Sequence, residues 1–318
     1  MKVVVCFLFC LLLWCCQSSP STAEQWKASS DEKIKVLCTT PIIDDLVSRI
    51  GGERIYHLSL MEPSMDPHSY ELVKGDDEKF SMAHIVFYNG LGLEHSGSLI
   101  TQLKHHPHAV ALGEEIRKQD ATLILEERGQ IDPHIWLDVS IWTRGIDPIV
   151  KHLSALDPSS AHYYEAQGNQ ARVELEQLDL HIQEKMESIP SEKKYLVTSH
   201  DAFNYFARRY LDHEGQWKKR FCAPEGLAPD GQLGYIDLER VIAHLEKNQI
   251  CTIFPEANVS QESLHKIIDI CRAKKMKIEI SSCTLFSDTL SDTPSHTFTY
   301  DEMMRHNTAV LCKYWSEP

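Results

Sequence analysis

After Pro158 the chain reaches Pro190 without another proline and with a single glycine, Gly168: "PSSAHYYEAQGNQARVELEQLDLHIQEKMESI". Glu, Gln, Ala and Leu dominate, residues that lose little freedom in a helix. One helix over this stretch would extend roughly 45 Å at ~1.5 Å per residue, long for one layer of a globular domain. It reads as a long core element or as a spine between two lobes, and the sequence on either side favours the spine.

Before it, "KIKVLCTT" reads as a buried strand and "PIIDDLVSRI" as a helix that stops at Gly51-Gly52. "RIYHLSLM" is a second strand, "YELVKGDDEKFSMA" a polar helix, "HIVFYNG" a third strand and "AVAL" a short fourth. After it, "KKYLVTSH", "CTIFPEAN" and "KIEISSC" read as strands between the helices "DAFNYFARRYL", "LERVIAHLEKNQI" and "SLHKIIDICRAKKM", and "YDEMMRHNTAVLCKYW" closes the chain as a helix. Strand and helix in alternation argue parallel sheets. The expected fold is therefore α/β: a first lobe over 31–155, a linker helix over 156–190 and a second lobe over 191–318.

The N-terminus carries Lys2 and then the apolar run "VVVCFLFCLLLWCC", followed by the small and polar "QSSPSTAEQ". That run is too short for a membrane-spanning helix and has the layout of an export signal, residues 1–16. Leu13 stands three places before Cys16, as in lipoprotein signals, although Trp14 and Cys15 replace the usual small residues. Lipidation at Cys16 or Cys15 and simple cleavage both stay open. In either case the mature protein is expected in the periplasm or cell envelope.

The 46 acidic residues outnumber the 32 basic ones, for a net charge of −14, which argues against nucleic-acid partners. Past the signal there remain Cys38, Cys222, Cys251, Cys271, Cys283 and Cys312, with no CxxC pair among them, so a thiolate zinc site is not expected.

Three of the 17 histidines stand apart. His68 in "MEPSMDPHSYEL" and His134 in "QIDPHIWLDV" each follow Asp-Pro. Proline restricts the backbone and the aspartate caps the turn, so each imidazole sits on a rigid loop. His68 and His200 both follow a strand's carboxyl end, where ligands gather in open α/β sheets, and His134 lies in the loop before the spine. A fourth donor is offered by "LFSDTLSD", where Asp288 and Asp292 both lie just after a strand; a carboxylate there could equally cap the next helix. Three imidazoles and one carboxylate suit Zn²⁺, Mn²⁺ or Fe²⁺. The cluster "KHHPH", residues 104–108, reads as a solvated turn.

The ordered set "DPHSYE", "DPHIWLD", "TSHDAFNYFARRY", "FPEANVS" and "LFSDTLSD…MMRHN" resembles the metal-binding solute-binding proteins of bacterial ABC importers, the cluster A-I, TroA-like family. The likeness runs from about residue 33 to the end, and the chain is similar in character to the iron- and zinc-linked chlamydial type of member. It implies two α/β lobes on a long helix with a metal between them. Carried onto this sequence, it implies His68, His134, His200 and Asp288 as metal ligands, with Asp292 an alternative to Asp288. His200 stands where manganese-type members often have glutamate. Glu256 falls at an acidic family position that would orient a ligand imidazole. Cys251 and Cys312 fall where some zinc-type members have a disulfide. The chain departs from zinc specialists in that "EEIRKQDATLILEERGQ" lacks their histidine-rich loop.

The function so implied is capture of a divalent transition metal and its delivery to an ABC permease, by a monomer with no enzymatic activity. A zinc hydrolase is the main rival, but four protein ligands close the site and no HExxH appears. A surface adhesin with a structural metal is a further alternative.

Overall fold

Residues Ile34–Cys38 are buried at every position and form the central strand β1 in the computed structural model, which describes residues 22–29, 33–127, 129–229, 234–293 and 296–316. The expected export signal, with Cys15 and Cys16, lies outside the described residues. Strands β2 (Ile55–Ser59), β3 (Ile85–Tyr88) and β4 (Ala109–Ala111) join β1 in a parallel sheet of order β2-β1-β3-β4. The period-2 alternation of a strand sends Val36 and Cys38 into the large core beside the long helix and Leu37 into a second layer with Trp26, Leu58 and Phe80. Thr40, two residues past β1, caps the next helix, Pro41–Gly51, by accepting the Ile43 N–H at 3.4 Å. A small antiparallel hairpin of β5 (Glu126–Glu127) and β6 (Gln130–Ile131) then leads into Asp132.

The second half repeats the plan with shorter strands. Strand β7 (Leu196–Val197) pairs in parallel with β8 (Phe221–Cys222), and β9 (Thr252–Ile253) with β10 (Glu279–Ile280). The Phe254 N–H donates to Val197 O at 2.8 Å and joins the two pairs. The succession β8-β7-β9-β10 thus matches β2-β1-β3-β4, and each set has its switch point between its first and third strands in chain order, where α/β sheets open a crevice.

The long helix spans Ala161–Glu187, 27 residues or about 40 Å. Its buried stripe, Tyr164, Gly168, Ala171, Leu175, Leu178, Ile182 and Met186, steps by three and four residues as a helical face must. That stripe packs on helices Pro41–Gly51 and Ile146–Leu156 from the first half and on Tyr300–Ser316 from the second. Gly168 is required there: a Cβ would stand 2.7 Å from Val150 Cγ2.

Several expectations need correction. The polar helix expected over 70–83 is confined to Asp76–Met82, because Gly75 at φ +99° breaks the chain's path and the buried Asp76 carboxylate gathers the Tyr70 hydroxyl and the Val73 N–H. Strand β8 and helix Ile146–Leu156 are additions to the expected elements. The Cys251–Cys312 bridge is not formed. All six cysteines of the described residues are free, with Cys251 Sγ near Gln249 O and Cys312 Sγ near Lys185 O. The "KHHPH" segment is largely exposed as expected, but Lys104 and His105 end the helix Gly97–His105 and only residues 106–108 turn, with the His106 ring accepting the His108 N–H and reaching Ala83 O.

Candidate metal centre

Both Asp-Pro-His segments fold alike at the backbone. Asp66 Oδ1 accepts the His68 N–H at 2.9 Å, and Asp132 Oδ1 accepts the His134 N–H at 3.0 Å, each bond closing a turn over the proline. They differ at the ring. Asp132 Oδ1 also lies 2.8 Å from His134 Nδ1, so this carboxylate fixes the imidazole with Nε2 pointing away. Asp132 is itself held from the second half, by Asn204 Nδ2 on Oδ2 at 3.1 Å and by the Tyr205 hydroxyl on its carbonyl at 2.9 Å.

His200 stands three residues past β7. Glu256 Oε1 accepts the N–H groups of Ser199 and His200 at 2.8 and 2.9 Å, and its Oε2 lies 2.8 Å from His200 Nδ1. Asp288 lies beyond an isolated parallel bridge between Glu256 and Leu285. The Asn307 side chain grips both polar groups of the Phe286 backbone, which explains the "MMRHN" segment: it holds the loop that carries Asp288. Asn258 Nδ2 and the Ser287 hydroxyl donate to Asp288 Oδ2 at 3.1 and 3.2 Å. Trp136 ties the His134 segment to the same loop through Nε1 on Ser287 O at 2.6 Å.

These loops bring one donor atom of each of His68, His134, His200 and Asp288 within 4.8 Å of one another, and none of the four residues is more than 2% exposed. His68 Nε2 is 3.2 Å from His134 Nε2, His134 Nε2 is 3.5 Å from Asp288 Oδ1, and His200 Nε2 is 3.3 Å from Asp288 Oδ2. Donors around a four-coordinate ion at about 2.0–2.1 Å stand about 3.3–3.4 Å apart, so the spacing fits a tetrahedral cation. His200 Nε2 and Asp288 Oδ1 are buried without an aligned hydrogen-bond partner in the protein, a deficit that a cation would remove. Among the described residues no other group of three or more His, Cys, Asp or Glu converges in this way. Asp292 begins a two-residue strand, Asp292–Thr293, and its side chain lies outside the described residues.

The charges divide unevenly. Burial pushes His68 down to about 3, a neutral imidazole at physiological pH, with Asp288 opposing and the other imidazoles assisting. For His200 burial works downward as well, but Glu256 and Asp288 outweigh it and hold the ring well above the usual histidine range. Burial alone would raise Asp288, yet His200 and its neighbours hold it far below the usual carboxylate range. Without metal, the proton therefore sits on His200, facing an ionised Asp288.

The family model described as "Zinc-uptake complex component A periplasmic", ZnuA, matches residues 36–314. The chain belongs to the ZnuA family. Among ZnuA-type relatives, the "Metal-binding protein YtgA" of Chlamydia trachomatis is 35% identical over 306 residues, 95% of this chain and 92% of that protein. The "Manganese-binding lipoprotein MntA" of Bacillus subtilis is 30% identical over 287 residues, 90% of each. The crystal structure of Fe(III)-bound YtgA from C. trachomatis superposes with a TM-score of 0.83, at 35% identity, over 89% of this chain and 98% of that one. The periplasmic zinc-binding protein TroA of Treponema pallidum gives 0.80 at 27% identity, over 89% and 99%. The ZnuA-type architecture, two α/β halves on a long helix, is thus the one read from the sequence.

Proposed function

We propose that this protein is an extracytoplasmic solute-binding protein that captures one transition-metal ion, Zn²⁺, Mn²⁺ or Fe²⁺, and passes it to an ABC-type permease. The observation that carries this reading is the convergence of His68, His134, His200 and Asp288, all buried, at the spacing of a four-coordinate ion. Membership of the ZnuA family supports it, as do relatives whose names specify metal, manganese and zinc binding. Three imidazoles with one carboxylate form a borderline donor set that accepts any of the three metals, so availability outside the cell selects among them.

Four protein donors leave no open coordination position for a substrate, which favours binding over hydrolysis. In this reading the first lobe is 31–155, the linker 156–190 and the second lobe 191–318. The protein acts as a monomer in the periplasm or cell envelope, exported by the signal in residues 1–16, whose cleavage before Cys16 leaves that cysteine as the lipid anchor. The test is cellular metal content. A strain lacking the protein should accumulate less zinc, manganese or iron under limitation; the wild-type chain should restore it and Asp288→Ala should not. Full restoration by Asp288→Ala would overturn the proposal.

A further inference from the structure

The three imidazoles of the cluster are not held alike. His134 has Asp132 at its Nδ1 and His200 has Glu256, but among the described residues no carboxylate stands behind the His68 ring. Asp66, the counterpart of Asp132, spends its two oxygens on the His68 N–H and the Ser69 hydroxyl. A ring without a second partner turns at the least cost. On the same side, Leu60 to Pro63, before the turn that carries His68, border a cavity of about 580 Å³, and Ser64 N–H donates to Thr289 Oγ1 at 2.9 Å.

A fourth imidazole stands on this side. His95, in the loop after β3, is exposed, and its ring centroid is 6.2 Å from that of His68. The His68 ring is in turn 5.2 Å from His134 and 5.9 Å from His200. His95, His68 and the remaining donors therefore form a graded series from solvent to the buried cluster.

We infer that metal enters and leaves by the His68 edge, with the exposed His95 as the first protein donor it meets. This rests on the metal-capture reading above. An ion held briefly by His95 is presented to His68 at high effective concentration, and on release the same imidazole replaces one departing ligand at a time. A residue on the path but outside the bound cluster changes both rates and leaves the equilibrium alone.

The test is stopped-flow uptake of Zn²⁺ alone by the metal-free chain, and its removal by excess chelator, for wild type, His95→Ala and His95→Asp. His95→Ala should slow uptake and loss alike, by about tenfold each, with the dissociation constant within about twofold of wild type. His95→Asp, which keeps a metal donor, should recover most of both rates, a rescue that a packing role would not give. Unchanged rates in His95→Ala would overturn the inference. So would a weakened equilibrium affinity with faster loss, which would make His95 part of the bound site. Failure of the wild-type chain to take up stoichiometric zinc would instead defeat the functional reading, and this inference with it.

Discussion

Glu256→Gln isolates what a buried carboxylate does for a ligand imidazole. Two backbone N–H groups, of Ser199 and His200, point at Oε1 from 2.8 and 2.9 Å. The new amide must keep its oxygen there, because the flipped amide would leave two buried donors unpaired at about 1–3 kcal/mol each. Its NH₂ then faces His200 Nδ1, where Oε2 now stands at 2.8 Å. A donor at that place favours the tautomer with the proton on Nε2, the nitrogen needed for metal. With the lone pair back on Nε2 for the metal, Nδ1–H faces the amide NH₂ in place of the Glu256 carboxylate, so the metal-bound form lacks one charge-assisted hydrogen bond that the wild type keeps, worth about 1.5–3 kcal/mol. Metal affinity should fall about 10- to 100-fold. Competition with a chromophoric zinc chelator at fixed pH measures this, and thermal melting of the metal-free variant checks that it is folded. A folded variant that binds zinc within twofold of wild type would refute the tautomer reasoning.

Other consequences are open to direct measurement. Gly168→Ala gains about 1 kcal/mol of helix propensity but sets a Cβ 2.7 Å from Val150 Cγ2 and 3.1 Å from Ile146 Cγ2; overpacking should win, for a net loss read by denaturant unfolding. Metal affinity should drop about tenfold per pH unit as pH falls below the raised value of His200, where the proton on that ring competes with the ion, and a flat profile would contradict this. In the metal-free protein His200 adds stability that is full below about pH 6.5, its unfolded-state value, and is lost as pH rises through the raised value of the folded state. His68, at about 3, acts oppositely and removes stability as pH falls from about 6.5 toward 3; pH-dependent melting reads both. Because the described cysteines are free, reductant should leave the melting temperature unchanged, and a fall would reveal a bridge.

What was legible in the sequence follows from how local each signal is. The long helix, the strand–helix alternation and the two Asp-Pro-His turns rest on neighbouring residues, and propensity, spacing and proline geometry carry them. His200 was legible as the end of an apolar strand. Asp288 was separable from Asp292 only through resemblance, since both follow the same strand. Strand β8, Phe221–Cys222, lies between Arg220 and Ala223-Pro224 with no apolar run around it, unlike the equally short β7 and β9, and is defined by its partner β7. Helix Ile146–Leu156 carries Pro148 in its first turn, where proline is tolerated but looks like a break. Asp132 was read as a turn cap. Its second role, on the His134 ring two residues on, depends on how the ring is turned, and the parts played by Asn204, Asn258 and Asn307 are tertiary contacts spanning 21 to 72 residues. The signal that could have found Asn258 and Asn307 was their place inside "FPEANVS" and "MMRHN", beside residues already suspected.

The most direct test of the metal centre is the metal content and affinity of the exported form of the chain, with His68→Ala, His134→Ala, His200→Ala and Asp288→Ala measured alongside. One tightly held transition-metal ion per chain, lost or greatly weakened in each variant, is the expected result. No stoichiometric metal in the wild type, or unimpaired binding in all four variants, would contradict it.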